Sequence, residues 1–199
     1  MNKLSLDKGR IHQKMQTRAS ILNATKGLLK KRKKLSLEDI AAKAKVSRAT
    51  MYRYFPNIEL LIMEASLEIS HATPEEICEN IQGLDLTNKI LSIQDHFNAL
   101  AIEHEVAFRR YLALATVEAI NSKKKIRGAR RVKTLRLALA PHKSSFKKNE
   151  FDRFIASATV LMGIDAIIVC KDVTRLNNEQ SLNSLAWCMK SLLKGLEIG

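Results

Sequence analysis

Twenty residues, Ser36 to Phe55 (SLEDIAAKAKVSRATMYRYF), constrain this chain more than any other stretch, because they read as two short helices hinged at a turn. Leu37, Ile40, Ala41 and Ala44 fall at helical spacing, Val46 interrupts, and Ser47 opens a second helix with inward positions expected at Ala49, Tyr52 and Phe55. Ser36 and Ser47 are both good N-caps. Asp39, three positions after Ser36, completes a capping-box arrangement in which the hydroxyl accepts an orphan backbone N–H and the carboxylate favours the positive helix end. Pro56 disfavours helical geometry at Phe55 and so ends the second helix, after which Asn57 caps a third beginning Ile58-Glu59-Leu60.

A helix this short fits a DNA major groove, and its outward face carries suitable chemistry. Arg48, Thr50 and Arg53 point outward, with the ring edges and hydroxyls of Tyr52 and Tyr54 free. Arg pairs bidentately with guanine O6 and N7, a Thr methyl meets a thymine methyl, and Tyr hydroxyls suit phosphate oxygens. The charge distribution agrees. Net charge is +14, and residues 1–55 hold fifteen basic and three acidic side chains, whereas Pro56 to Ser122 holds three basic and eleven acidic ones. A basic patch coincident with a groove-sized helix is the electrostatic footprint of a DNA-binding domain.

These residues also carry a resemblance. IAAKAKVSRATMYRYFPNIELL resembles the N-terminal helix-turn-helix of the tetracycline-repressor (TetR) family of bacterial transcription regulators. Upstream, RASILNATKGLLK is similar to the family's first helix, with Ile11, Met15, Ala19, Leu22, Thr25 and Leu29 expected as one inward stripe. Downstream, GARRVKTLRLALAP, FIASATVLMGIDAIIVCKDV and SLAWCMKSLLKGL are similar to the ligand-binding half of one branch of the family. The resemblance implies an all-α chain: a three-helix DNA-binding domain over residues 1–56, continuing into a linking helix to about 70, then a helical effector-binding and dimerisation domain over 71–199. It gives a candidate DNA-contacting set of Ser36, Leu37, Lys45, Ser47, Arg48, Ala49, Thr50, Tyr52, Arg53 and Tyr54.

Two positions depart from the family pattern. Lys45 stands where the family usually has a left-handed Gly, at a cost on the order of 1 kcal/mol. Ile58 stands where the family usually places a phosphate-gripping Lys, leaving Lys43, Lys45 or Arg53 to replace that contact.

The remainder reads as a helical body. Only seven Gly and three Pro occur in 199 residues, which fits a chain with few turns, and 46% hydrophobic residues suffice for a core. Phe154 to Cys170 is the most apolar stretch, but it is short for a span and holds Asp165, so a membrane is not expected. Read by period, Phe151, Phe154, Ile155, Ala158, Leu161, Met162 and Val169 form one stripe, and Ala156, Thr159, Gly163 and Ile167 form a second. The last helix repeats the spacing through Leu182, Leu185, Ala186, Met189, Leu192, Leu193 and Leu196. The resemblance implies that two such helices meet their symmetry copies in a four-helix bundle. The expected homodimer interface is Phe154, Ala158, Met162, Gly163, Leu182, Leu185, Met189 and Leu193, and a two-fold pair of readers about one DNA turn (roughly 34 Å) or more apart would read a palindromic operator.

Helices from about Thr87 to Pro141 are expected to enclose a cavity for a small-molecule effector, lined by His96, Phe97, Leu100, His104, Phe108, Tyr111, Leu112 and Glu118, with Arg109 and Leu114 nearby. A filled core with its polar residues facing water is the other reading. Lys123 to Lys148 holds eleven Lys/Arg and no Asp/Glu. It reads as the solvated face of a helix with Ile126, Val132, Leu135, Leu137 and Leu139 inward; extra DNA contact, or an acidic ligand or partner, are the alternatives. Cys78, Cys170 and Cys188 show no metal-type spacing and read as small hydrophobes in a reducing cytoplasm, with a redox switch as the sharper reading. No apolar signal-peptide core follows Met1. No P-loop, GxGxxG, GxSxG or HExxH is present, and His71, His96 and His104 lack ligand spacing, so no enzyme, metal or cofactor is expected. From another class, a ligand-independent, nucleoid-type basic structural protein remains the alternative to a regulator.

Overall fold

The computed structural model describes residues 3–29, 35–69, 72–122, 127–147 and 149–196, and among these the chain is helical without strands. Eleven helices follow in order: α1 (Lys3–Leu29), α2 (Leu37–Ala44), α3 (Arg48–Tyr54), α4 (Ile58–Ile69), α5 (Pro74–Asn80), α6 (Leu86–Glu103), α7 (Glu105–Ser122), α8 (Arg130–Leu139), α9 (Glu150–Val160), α10 (Ile164–Ile168) and α11 (Asn178–Lys194). They divide into two compact units: residues 1–71 with 110–127, and residues 72–109 with 128–199. Residues 110–127 thus cluster with the N-terminal unit, although they lie within the stretch read from sequence as body.

The first unit packs α1 against both α2 and α4. Its core is Ile21, Leu22, Ala24, Ile40, Ala41, Ala44, Met51, Phe55, Leu61 and Ala65. The stripe expected on α1 holds only in its second half. Leu22 and Thr25 are buried and Leu29 is half-buried, but Met15 is 60% exposed and Ala19 is exposed; Ile11's side chain lies outside the described residues. The inward stripe starts at Ile21 and runs through Leu28 and Leu29, because α2 and α4 give α1 something to pack on only there.

The second unit centres on Ile90, Ile93 and Phe97 of α6, Leu135 and Leu139 of α8, and Phe151, Phe154, Ile155, Ala158, Met162 and Met189 of α9 to α11. The apolar stretch from Phe154 to Cys170 is not one helix. α9 ends at Val160, Gly163 turns the chain at φ 79°, and α10 with the π-turn Val169–Val173 continues at a 49° bend. No single helix among the described residues is long and apolar enough to cross a membrane.

Polar side chains hold this bend from outside. Asn98 on α6 accepts the buried Gly163 N–H through Oδ1 at 2.7 Å, and Gln94, one turn earlier, donates to the Leu161 and Leu185 carbonyls at 2.9 Å each. Arg131 on α8 donates to the Thr159 and Met162 carbonyls and pairs with Asp165 at 2.9 Å. The bonds to Gly163 N–H and to the Thr159, Leu161 and Met162 carbonyls meet backbone groups at the interruption.

Part of the basic run is paired locally. Lys133 pairs with Glu75 at 2.8 Å, Arg136 pairs with Asp152 at 2.7 Å, and Arg130 donates to the Ala72 carbonyl. The buried face of α8 is Thr134, Leu135, Ala138 and Leu139, whereas Leu137, expected inward, is 42% exposed. A spacing of two cannot stay on one face of a helix. Ile126, Lys123 to Lys125 and Lys148 lie outside the described residues. Cys170 is buried and Cys78 and Cys188 are half-buried; burial pushes the Cys78 and Cys170 thiols up from their ordinary range, which keeps them protonated.

Candidate nucleic-acid interface

Local chemistry builds the reader almost completely. Ser36 sits in extended backbone; its Oγ accepts the Asp39 N–H at 3.1 Å and donates to the Asp39 carboxylate at 2.9 Å. α2 then closes in a Schellman turn: Lys45 adopts φ 55°, ψ 43°, its N–H donates to the Ala42 carbonyl, and the Val46 N–H reaches back to Ala41 at 3.0 Å. Lys45 therefore occupies the left-handed position that the resemblance assigned to Gly. Ser47 caps α3 by accepting the Thr50 N–H at 3.1 Å, and its own hydroxyl donates to Thr50 Oγ1 at 3.0 Å. Such caps each contribute about 1 kcal/mol. Asn57 then caps α4, its Oδ1 accepting the Glu59 N–H at 2.7 Å.

The helical phase of α3 differs from the expectation. Met51 and Phe55, both fully buried, anchor it, with Tyr54 half-buried beside them; Ala49 and Tyr52, expected inward, are exposed. The reason is geometric. Met51, Tyr54 and Phe55 stand at i, i+3, i+4 and so share one face, on which Met51 fills core space that Ala49 would leave open.

The outward residues fall together. Arg48 is the first residue of α3, its side chain 67% exposed, with its guanidinium carbon 5.8 Å from the centre of the Tyr52 ring. Glu38 on α2 places a carboxylate oxygen 3.3 Å from Arg48 Nη1. Both contacts favour the charged guanidinium and raise its pKa above the ordinary arginine value, the Tyr52 hydrogen bond more than the Glu38 charge. Arg53 lies over the Tyr54 ring at 5.3 Å, and Ala49 and Lys45 are exposed. Ser36 and Leu37 are half-buried at the start of α2, where Leu37 also packs on the core. Lys43 folds along α1, where a Cβ added to Gly27 would lie 2.6 Å from its ammonium nitrogen.

A buried polar cluster behind this surface was not legible in the sequence. Glu64 on α4, only 7% exposed, pairs with Arg18 of α1 at 2.6 Å and accepts the Tyr111 hydroxyl of α7 at 3.3 Å. The Arg18 guanidinium also lies 4.9 Å from the centre of the Phe55 ring, the residue that ends α3. An i+46 ion pair has no periodic signature, although a lone Glu among the buried positions of α4 is the trace it leaves.

The expected dimer and effector sets fare differently. Phe154, Ala158, Met162, Gly163, Leu185 and Met189 are buried in the second unit's own core, with Leu182 and Leu193 half-buried, so they do not form an exposed face. What remains exposed there is Val160, Val169, Val173 and Trp187, between 53% and 72%.

The eight expected effector-lining residues are divided between the two units. Tyr111, Leu112 and Glu118 belong to the first unit, and His96, Phe97, Leu100, His104 and Phe108 to the second. Phe97 is core, Tyr111 is buried against Leu60 and Ala115, and Arg109 is held bidentately by Asp172 at 2.7 and 2.8 Å. His96 packs edge-on against Phe97, its Nε2 buried without a hydrogen-bond partner, and burial depresses its pKa. An open groove of about 580 Å³ instead runs along Cys78, Ile81, Leu137, Ala138 and Pro141, rimmed by Glu75, Glu79 and Lys89.

Curated proteins include no match to this chain. Residues 21–65, from the buried half of α1 through the helix-turn-helix to α4, match the family model described as bacterial regulatory proteins, tetR family. The matched stretch holds all ten candidate DNA-contacting residues, the Schellman turn and the Met51–Phe55 anchor, and this N-terminal region is a DNA-binding domain of the kind found in TetR-family transcription regulators.

Proposed function

We propose that the chain is a cytoplasmic repressor that binds a palindromic operator as a homodimer and leaves it when a small molecule occupies the body. The observation that carries the reading is α3 itself. Seven residues, fixed at their start by Ser47 and at their end by Phe55 and Pro56, present Arg48, Ala49, Tyr52 and Arg53 to solvent while Met51 holds the back. Arg48 and Thr50 are the base readers in this proposal, and Lys45, Ser47, Tyr52, Arg53 and Tyr54 serve the backbone together with Ser36 and Leu37 at the start of α2.

The exposed Val160, Val169, Val173 and Trp187 supply the apolar surface for the second copy in this proposal, since an isolated chain gains nothing by showing a Trp at 69% exposure. An effector switches the system only through a difference in affinity for the two reader spacings. About 1.4 kcal/mol of coupling already gives a tenfold loss of operator affinity.

Selection from random double-stranded DNA, followed by footprinting, tests the reading. It should enrich an inverted repeat protected as two half-sites, and sedimentation should give a dimer that Trp187→Glu dissociates. Enrichment of no sequence would favour a nucleoid-type binder. Compounds that raise the melting temperature should include some that lower operator affinity; a protein stabilised by many compounds with none affecting DNA binding is not effector-released.

A further inference from the structure

Glu38 is an acid in a surface that must approach polyanionic DNA, and although a carboxylate in the first turn of α2 suits the positive helix end, its side chain is turned toward α3. Ser36 and Asp39 already complete the capping of α2, while the Glu38 carboxylate reaches across the turn to within 3.3 Å of Arg48 Nη1. Tyr52, one turn along α3, meets the same guanidinium, whose carbon lies 5.8 Å from its ring centre. Both charged partners are well exposed, 59% for Glu38 and 67% for Arg48, so the pair contributes little to folding and its placement calls for another reason.

We propose that Glu38 is a positioning residue that makes Arg48 a base reader rather than a phosphate anchor; the inference rests on the regulator reading above. A guanidinium carries five N–H groups in a rigid fork. With Glu38 taking one N–H edge and the Tyr52 ring lying against the guanidinium, the remaining fork is presented in one orientation, the geometry that guanine O6 and N7 accept bidentately. The carboxylate also sorts the possible targets. A phosphate brought to Arg48 carries a full negative charge and is repelled by Glu38 a few ångströms away, whereas a guanine edge is neutral and is not. Glu38 thus sacrifices general affinity and gains the difference between right and wrong sequence, which is what specificity consists of.

The test uses the full-length protein and the DNA enriched by wild type. Kd is measured as a function of salt for the selected site, for the same site with its half-site guanines replaced, and for scrambled duplex, in wild type, Glu38→Gln, Arg48→Ala and the double variant. Gln keeps the size and one acceptor but removes the charge. Expected for Glu38→Gln are tighter binding to scrambled duplex, a salt slope on that duplex steeper by about 0.9 per half-site as Arg48 joins the phosphate contacts, and a specificity ratio lower by about tenfold, within the range one bidentate contact discriminates. In the Arg48→Ala background the same change should leave the ratio untouched. Unaltered thermal unfolding of Glu38→Gln confirms that the fold is not the cause. A ratio preserved within about twofold, or an equal fall with and without Arg48, overturns the proposal while the regulator reading stands. A wild type that enriches no sequence overturns both.

Discussion

The chain bends through a positive φ at two places that matter, and it closes them by opposite means. At Lys45, φ is 55° and ψ 43°, ordinary left-handed geometry, and the turn is tied by backbone bonds from Lys45 and Val46 to Ala42 and Ala41. At Gly163, φ is 79° and ψ −166°, a region essentially reserved for glycine, and the tie is a side chain 65 residues away. The reader's bend is complete within seven residues. The body's bend exists only after α6 and α8 have delivered Asn98, Gln94 and Arg131. A turn that must hold a recognition helix at a fixed angle is thereby independent of the rest of the fold, whereas the turn in the body reports on whether its neighbours are in place.

The sharpest way to break that contrast is at Gly163. Gly163→Ala should cost about 3 kcal/mol, the upper range for forcing a side chain into glycine-only backbone, because its Cβ would also lie 3.2 Å from Arg131 Cδ and Nη1. Urea unfolding measures it. A loss below about 1 kcal/mol would mean that the bend relaxes freely and that the comparison is wrong. Asn98→Ala should follow at about 2 kcal/mol, since it strands the buried Gly163 N–H. The two changes should add to less than their sum, because both act on one turn.

The same contrast explains what the sequence disclosed. Ser36, Asp39, Ser47, Pro56 and Asn57 act on neighbours within three or four positions, so α2, α3 and the start of α4 were legible with their caps. Phase on α3 was misread because Ala49, Tyr52 and Phe55 form as acceptable a stripe as Met51, Tyr54 and Phe55, and only the space between α1 and α4 decides between them. The bend at Gly163 was hidden because Leu161, Met162 and Ile164 continue the apolar period straight through it; nothing local says that Asn98 and Arg131 will interrupt the helix. The Phe154 stripe packs within its own unit, and a helical period alone does not tell core positions from interface positions.

A smaller effect separates the two bends by pH. After the break, the π-turn is held by α7's first turn: Lys171 meets Glu105 at 2.5 Å, and Arg109 bridges Glu105 and Asp172. The Lys171 ammonium first, then Arg109, holds Glu105 below the usual carboxylate range, and the Arg109 hydrogen bonds do the same for Asp172. A depressed folded pKa means that the unfolded state binds protons first on acidification. This contribution is therefore complete above the unfolded carboxylate pKa, about 4, and is lost as pH falls through the folded values. Melting temperature followed from pH 6 down to 3 should fall less in Asp172→Asn than in wild type, whereas Lys45→Gly, which changes a bend tied by backbone bonds, should follow the wild-type profile. Parallel curves for wild type and Asp172→Asn would remove the network from the account.

The smallest effect is also the one that ties the comparison to function. Lys45→Gly relieves the left-handed penalty, about 1–2 kcal/mol for a residue with a Cβ, but it gives the unfolded chain extra freedom worth about 0.4–1 kcal/mol. The net expectation is a gain of roughly 0.5–1 kcal/mol, read as a rise in the urea midpoint with an unchanged slope. The turn should keep its geometry, since both of its bonds are made by backbone atoms. If the exposed Lys45 ammonium serves a phosphate, as proposed, the same variant binds DNA more weakly on every sequence, and its salt slope falls by about 0.9 per half-site. The strain is then retained for the charge it places at the groove edge, in a chain where the usual Lys at the start of α4 is replaced by Ile58. A Lys45→Gly protein that gains stability and keeps its full salt slope would show the lysine to be incidental and assign the missing contact to Arg53.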